Sequence, residues 1–119
     1  MTTWLITHPA CLEHDTGPDH PESIARLQTV LSALEGPVFQ FMQRQEAPQV
    51  TIEQLARVHD RSYVERILAA IPAEDHAMLD NDTVVSPGSG EAALRAAGAV
   101  CLAVDAVMTG EAQRAFCAV

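Results

Sequence analysis

The stretch SPGSGEAALRAAGAVCLAVDAVMTGEAQRAFCAV, residues 86–119, joins a long apolar helix to a strand and thereby decides the fold class. Its first two residues form a favourable N-cap and N1 pair for a helix over residues 88–109, and Gly110 is a natural C′ stop. Apolar residues occupy nearly every angle of this helix, so we expect it to be buried on most sides. The run AFCAV (115–119) predicts a strand directly after it.

Two further strands are predicted upstream, at TWLIT (3–7) and VFQFM (38–42). A helix lies between them, because apolar residues recur there at spacings of three and four. These residues are Ile24, Leu27, Leu31 and Leu34. Asp19 followed by Glu22 resembles a capping box at its start, and Gly36 with the next proline ends it.

Two shorter helices are predicted between residues 51 and 72. Thr51 and Gln54 form a second capping-box pattern, and Asp60 can cap a helix that stops at Pro72. The polar run AEDHAMLDND (73–82) is predicted to be a connection.

The predicted order of elements is therefore β–α–β–α–α–α–β. Strands separated by helices indicate an α/β fold whose sheet is mainly parallel. Three strands cannot cover a helix that is apolar on most sides, and no turn signal follows the last apolar run. We therefore predict that residues 1–119 are the first part of a larger α/β protein.

The composition of the chain disfavours some classes of binding partner. The chain has 119 residues and a net charge of −9, and it has no basic stripe, which argues against a nucleic-acid partner. The negative charge also argues against docking on an anionic membrane, so no membrane partner is expected. No 18-residue apolar run is free of charge, so no membrane-spanning helix is expected. Three cysteines without a CxxC pair predict reduced thiols in a cytoplasmic protein.

The stretch HDTGPDHPESIARL (14–27) concentrates polar side chains and allows two interpretations. His14 and His20 flank a Gly-Pro turn, whereas zinc-binding histidines are usually closer together on a rigid element. A metal site is therefore less favoured than a loop that satisfies backbone groups and shapes the rim of a pocket. Arg26 can pair with Glu22 at i,i+4, which stabilises a surface helix only weakly.

Three blocks in this order resemble the N-terminal third of the histone deacetylase superfamily. They are HPACLEHDTGPDHPESIARL (8–27), LARVHDRSYVERI (55–67) and LDNDTVVSPGSGEAALRAAGAVCLAVDAVMTG (79–110). The chain looks most similar to the bacterial branch that is related to class II deacetylases and acetylpolyamine amidohydrolases.

This resemblance implies an arginase-like α/β fold and the zinc-dependent hydrolysis of a small acetylated amine or acetyl-lysine, with release of acetate. The family's paired catalytic histidines, its zinc ligands and its catalytic tyrosine are expected after Val119. The resemblance therefore assigns no catalytic residue and no metal ligand to this chain, and zinc is expected only in the full-length protein.

The resemblance also implies three pocket residues. Arg26 matches an arginine that lines the internal cavity from which acetate leaves. The loop 11–22, which contains His20, corresponds to the first rim loop of the substrate tunnel. Asp82, or alternatively Asp80, matches an acidic rim residue that holds the substrate backbone.

Two functions remain open. One is the N-terminal segment (residues 1–119) of a single deacetylase domain, inactive alone because the catalytic part is absent. The alternative is a non-catalytic α/β module with a structural or partner-binding role. In either case, exposed apolar surface on residues 92–119 predicts that the chain can self-associate.

Overall fold

The computed structural model describes residues 2–119 as a mixed α/β fold, in which strands and helices alternate along most of the chain. The elements are β1 (Thr3–Thr7), α1 (Ile24–Leu34), β2 (Gln43–Glu46), α2 (Ile52–Leu55), α3 (Arg61–Ala69), β3 (Ala77–Asp80), β4 (Thr83–Val85), α4 (Ser89–Thr109) and β5 (Arg114–Cys117). Short 3-10 helices occupy Pro9–Glu13 and Pro37–Phe39.

A three-stranded parallel sheet forms the centre of the fold. Its order is β2-β1-β5, so the first strand lies between the other two. Trp4 is aligned with Gln43 on one side and with Ala115 on the other. Helices connect these strands, as parallel pairing requires. The predicted α/β fold class and the parallel sheet are therefore confirmed.

The central strand divides the core into two layers, because successive side chains of a strand point to opposite faces. Trp4 and Ile6 pack against α4, together with small buried residues such as Ala99. Leu5 packs on the other face with Leu27 and Leu34 of α1. The hydrophobic spacing predicted for α1 is the spacing that this second layer uses.

Helix α4 is buried on one side only: the described residues do not bury it on most sides, and the apolar surface expected to stay exposed on residues 92–119 is present. Four apolar residues at helical spacing remain more than two-fifths exposed: Val100, Val104, Val107 and Met108. We call these four residues the α4 stripe. Apolar residues do occur around most of this helix, as the sequence predicts, but the described residues cover only one face of α4.

The same helix is long and apolar enough to cross a membrane by length and composition, with a mean hydropathy of 1.6 in its most apolar window. Core helices of soluble proteins pass the same test, and one face of α4 packs against β1 and β5. The requirement for an 18-residue run without charges excludes α4, because this helix contains charged residues. The absence of a membrane partner therefore stays a prediction.

The strand predicted at 38–42 is wrong. Residues Pro37–Phe39 form a 3-10 helix, and the strand begins one residue after the predicted segment, at Gln43. Val38 and Phe41 are 72% and 64% exposed, whereas Phe39 and Met42 are partly buried and pack against the layer of Leu5 and α1. The true strand, QRQE, is a polar edge strand whose backbone pairs with β1, and edge strands carry little hydrophobic signal.

A hairpin replaces the connection predicted at 73–82. β3 and β4 pair antiparallel, with an irregularity between Met78 and Asp80. β3 has four residues that alternate between half-buried and exposed, and β4 has three. Strands this short give too few alternations to stand out in the sequence.

The helix starts differ from the prediction at two places. α1 begins at Ile24 with Ser23 as its N-cap, so the capping box at Asp19 and Glu22 is wrong. The main chain of Glu22 is instead held before the helix: its N–H donates to His20 Nδ1 and its carbonyl accepts from Thr16.

α4 likewise begins at Ser89, with Gly88 as N-cap in place of Ser86. Two other end signals are confirmed. Thr51 and Gln54 form the reciprocal capping box at the start of α2. Gly110 ends α4 in the left-handed region at φ 83°, which glycine adopts without steric cost.

Candidate functional site

A cavity of about 370 Å³ lies between the first loop, α1, α3, the β3–β4 hairpin and α4. Its wall is mainly apolar, and α3 and the hairpin supply the larger side chains. Its polar lining residues come from elements that are distant in sequence: Cys11, His14, Glu22, Arg26, Thr83 and Ser89. A concave, mostly apolar site with a few convergent polar groups is typical of a small-molecule pocket.

Arg26 reaches this wall from the first turn of α1. Its Nε lies 3.1 Å from Glu22 Oε1, which is the predicted i,i+4 pair. Its Nη2 donates to the main-chain oxygen of Val119, the last residue of the given sequence, at 2.8 Å. The surface pairing and the pocket position are therefore both present, and the guanidinium lies where α1 meets the end of β5.

His20 and Asp82, although 62 residues apart, meet beside this cavity. His20 Nε2 donates to the main-chain carbonyl of Asp82 at 2.7 Å, while Nδ1 accepts from Glu22 N at 3.0 Å. These two bonds place the proton on Nε2. The contact uses the main chain of Asp82, so it ties the loop 11–22 to the hairpin without using the carboxylate.

Asp80 stabilises the turn that presents Asp82. Its Oδ1 accepts a hydrogen bond from Asp82 N at 2.9 Å. That bond is the main cause of a lowered pKa of the Asp80 carboxyl, with Thr83 contributing further. Of the two acidic rim candidates, Asp80 therefore uses its carboxylate to stabilise the β3–β4 turn. The assignment of Arg26, His20 and Asp82 to substrate or product binding stays a prediction.

Sequence reasoning missed a buried hydroxyl cluster at the start of α4. Ser86 and Ser89 are 5% and 4% exposed, and Ser89 Oγ lies 2.7 Å from His14 Nδ1. The sequence places His14 and Ser89 75 residues apart, and no local pattern connects them. Only the resemblance, which included both blocks, could have suggested that they meet.

Cys11 also lines the cavity, and burial raises the pKa of its thiol. The thiol is therefore protonated at neutral pH, whereas a nucleophilic cysteine requires the thiolate. Cys11 is accordingly part of the wall and is not assigned a chemical role.

Between residues 2 and 119, no three His, Cys, Asp or Glu side chains come together in a group that could hold a metal ion. His14 pairs with Ser89, His20 with main-chain atoms, and His8 Nε2 lies 3.4 Å from a Glu46 carboxylate oxygen. These residues do not fit a zinc centre, because a catalytic zinc requires three protein ligands. We therefore derive no step through zinc from them.

Comparison with protein families identifies the class. The family model described as the histone deacetylase domain matches residues 20–119. The chain therefore belongs to the histone deacetylase family, which confirms the resemblance inferred from the three sequence blocks.

Two curated relatives show how similar the chain is to individual members of this family. A histone deacetylase-like amidohydrolase of Pseudomonas aeruginosa is 35% identical over 111 residues, covering 93% of this chain and 28% of its own length. A probable deacetylase of Archaeoglobus fulgidus is 31% identical over 119 residues, covering 98% of this chain and 33% of its own. The chain therefore spans about a third or less of the curated relatives that it matches.

The fold agrees with a solved structure, the crystal structure of the HDA15 HD domain. The TM-score is 0.92 at 22% identity, over 99% of this chain and 35% of that chain. At this identity, the likeness concerns the fold alone. It shows that residues of this chain adopt the arrangement of part of a histone deacetylase domain.

Proposed function

We propose that this chain forms the N-terminal segment of a zinc-dependent, deacetylase-like amidohydrolase. The complete enzyme hydrolyses a small acetylated amine or acetyl-lysine and releases acetate. The observation that supports this most directly is the family match over residues 20–119, on a fold that gathers Arg26 and the first loop around one cavity. The names of the bacterial and archaeal relatives, an amidohydrolase and a deacetylase, agree with it.

Within this function, we assign to residues 2–119 the wall and rim of the pocket. A guanidinium suits a carboxylate product, because its planar donors make two parallel hydrogen bonds. Glu22 partly balances the charge of Arg26, so that a bound anion can exchange with it and leave.

The finer features of the proposal rest on family membership. We propose an arginase-like domain, a cytoplasmic location, and zinc held by residues that this chain does not contain. We also propose that the 119 residues alone neither bind zinc stoichiometrically nor deacetylate. The charge of −9 supports the absence of a nucleic-acid partner.

The test compares this chain with a polypeptide extended to the full deacetylase domain. Both are assayed on fluorogenic acetyl-lysine and on acetylated polyamines, with zinc titrated calorimetrically. We expect chelator-sensitive turnover from the extended polypeptide only. Turnover by the 119 residues would contradict the proposed inactivity, and no turnover by the extended polypeptide would contradict the deacetylase function.

A non-catalytic, partner-binding module is the second candidate, and the exposed α4 stripe favours it. An apolar row on one face of a helix is typical of a surface that another element covers. If the extended polypeptide were inactive on every acetylated amine and yet held a partner through this stripe, this second function would replace the first.

A further inference from the structure

Three hydrogen bonds connect the first loop to the start of α4 in a continuous series. Asp15 N donates to Ser86 Oγ at 3.1 Å, and the two serine hydroxyls are 3.3 Å apart. Ser89 Oγ in turn lies 2.7 Å from His14 Nδ1 and also accepts from Ser86 N at 2.8 Å. Both serines are buried, so each of their hydroxyl protons requires an acceptor within the protein.

Counting donors and acceptors favours one direction for this series. Ser86 Oγ already accepts from Asp15 N, so its own proton can be given to Ser89 Oγ. Ser89 Oγ then accepts twice and gives its proton to His14 Nδ1. The reverse direction, with a proton on His14 Nδ1, would leave the buried Ser86 hydroxyl proton without an acceptor, which costs about 1–3 kcal/mol.

The consequence concerns the other nitrogen of the ring. With Nδ1 accepting from Ser89, neutral His14 carries its proton on Nε2. Nε2 has no hydrogen-bond partner among residues 2–119, and His14 lines the cavity that Arg26 also lines. The ring therefore offers the cavity a neutral N–H donor in addition to the charged donor of Arg26.

We infer that Ser86 and Ser89 are positioning residues that fix His14 as its Nε2–H tautomer. His14 thereby becomes a second hydrogen-bond donor, beside Arg26, for a short carboxylate in this cavity. The inference rests on the proposed function, because acetate is the product that this function releases. It also gives a role to the SPGS segment, whose serines orient a histidine of the first loop and do not cap the helix.

The tautomer is tested on the unmodified chain. Long-range nitrogen–proton NMR spectra distinguish a protonated ring nitrogen from an unprotonated one, and we expect His14 to be protonated on Nε2 alone at pH 7.5. Ser89→Ala should change the His14 ring pattern, whereas Ser32→Ala, at an exposed position of α1, should leave it unchanged. A proton on Nδ1 in the unmodified chain would overturn the inference without any variant.

Acetate titration tests the ligand. Saturable shifts of the His14 ring signals are expected on addition of sodium acetate, with sodium chloride as the ionic-strength control. His14→Phe should weaken acetate binding about three- to tenfold, the range for one neutral hydrogen bond, and Arg26→Gln by more than about tenfold. Equal acetate affinity for His14→Phe and the unmodified chain would remove His14 from the site.

The outcomes separate this inference from the proposed function. If the extended polypeptide deacetylates and acetate leaves His14 unaffected, the inference fails and the function stands. If acetate shifts His14 and requires Arg26, but the extended polypeptide is inactive on acetylated amines, the carboxylate site stands and the deacetylase function fails.

Discussion

Arg26 has two hydrogen-bond partners, Glu22 and Val119, and substitution of Arg26 can separate its contribution to stability from its contribution to turnover. The ion pair with Glu22 is about half-exposed, and such pairs stabilise a helix by about 0.3–0.5 kcal/mol. In a polypeptide that continues past Val119, where this main-chain oxygen is a peptide carbonyl, the bond from Arg26 adds about 1 kcal/mol. Neither is large, so a severe effect on turnover would indicate a role in the cavity.

We predict that Arg26→Ala in the extended polypeptide lowers kcat at least about tenfold, because a carboxylate loses its charged donor. The free energy of unfolding should fall by less than about 1.5 kcal/mol. Arg61→Ala is the matched control: Arg61 also has an exposed i,i+4 glutamate partner, but it does not line the cavity. An unchanged kcat for Arg26→Ala would exclude Arg26 from the site.

Asp80 gives a prediction about pH. Its pKa is lowered in the folded chain, chiefly by the hydrogen bond from Asp82 N. A lowered carboxyl pKa contributes stability that is present above the unfolded pKa and is lost as the pH falls through the folded pKa. The turn at 80–83 should therefore loosen only below about pH 4, since a model aspartate has a pKa of about 3.9.

The measurement is the amide shift and exchange rate of Asp82 between pH 7 and pH 2.5. We expect both to change with an apparent pKa below that of a model aspartate. Asp80→Asn keeps an acceptor oxygen but does not titrate, so the pH dependence of this amide should disappear. An Asp82 amide that titrates above the model value would contradict the prediction.

Among the helices and strands, those with a strong signal in their own residues are the ones that the sequence predicts closely. β1, α3 and the end of α4 were predicted closely, because a buried β-branched run, Pro72 and Gly110 each restrict the backbone by themselves. β2 was misplaced because an edge strand is specified by its partner and not by its own side chains.

The candidate site was predictable only in part, for the same reason. The Arg26–Glu22 pair is local, and its spacing alone predicted it. The contacts of His20 with Asp82 and of His14 with Ser89 join segments that only the folded chain brings together. Their residue types indicated a polar rim, but their partners depended on how the hairpin and α4 pack against the first loop.

Helix α4 approaches its neighbouring loop closely at Gly98. A Cβ at this position would overlap the backbone carbonyl of Pro48, which cannot move as a side chain can. The loop is fixed to the helix nearby, since Arg95 Nη1 donates to Ala47 O at 3.0 Å and Val50 N donates to Leu94 O at 3.0 Å. Glycine is therefore required here for contact and not for backbone freedom.

We predict that Gly98→Ala lowers the free energy of unfolding by about 2 kcal/mol or more, since overpacking exceeds the gain of about 1 kcal/mol in helix propensity. Gly90→Ala is the matched control in the same helix. Its Cβ would lie 3.2 Å from Ile71 Cγ1, a tight contact with a side chain and not with a backbone carbonyl, so the loss of stability should be clearly smaller than for Gly98→Ala. Urea unfolding measures both, and similar values for the two variants would contradict this packing account.

At the scale of the whole molecule, the chain presents surfaces that a complete α/β domain normally covers. Both outer strands of the parallel sheet, β2 and β5, have one unpaired edge among the described residues. Parallel sheets are usually buried on both faces and paired along most strands. The solved histone deacetylase domain that matches this fold is about three times longer, and this chain covers 35% of it.

We predict that the 119-residue chain self-associates at ~100 μM through the α4 stripe, because exposed apolar rows and open strand edges favour association at such concentrations. Val100→Gln/Val104→Gln should weaken association and reduce binding of a hydrophobic dye. Val38→Gln/Val58→Gln changes two valines outside α4 that are even more exposed, and should leave association and dye binding unchanged. Because all four substitutions are neutral, the net charge of −9, which opposes association, stays constant.

Sedimentation velocity and light scattering over a concentration series measure the outcome. A compact monomer with a cooperative melt and no dye binding would show that the open face needs no partner.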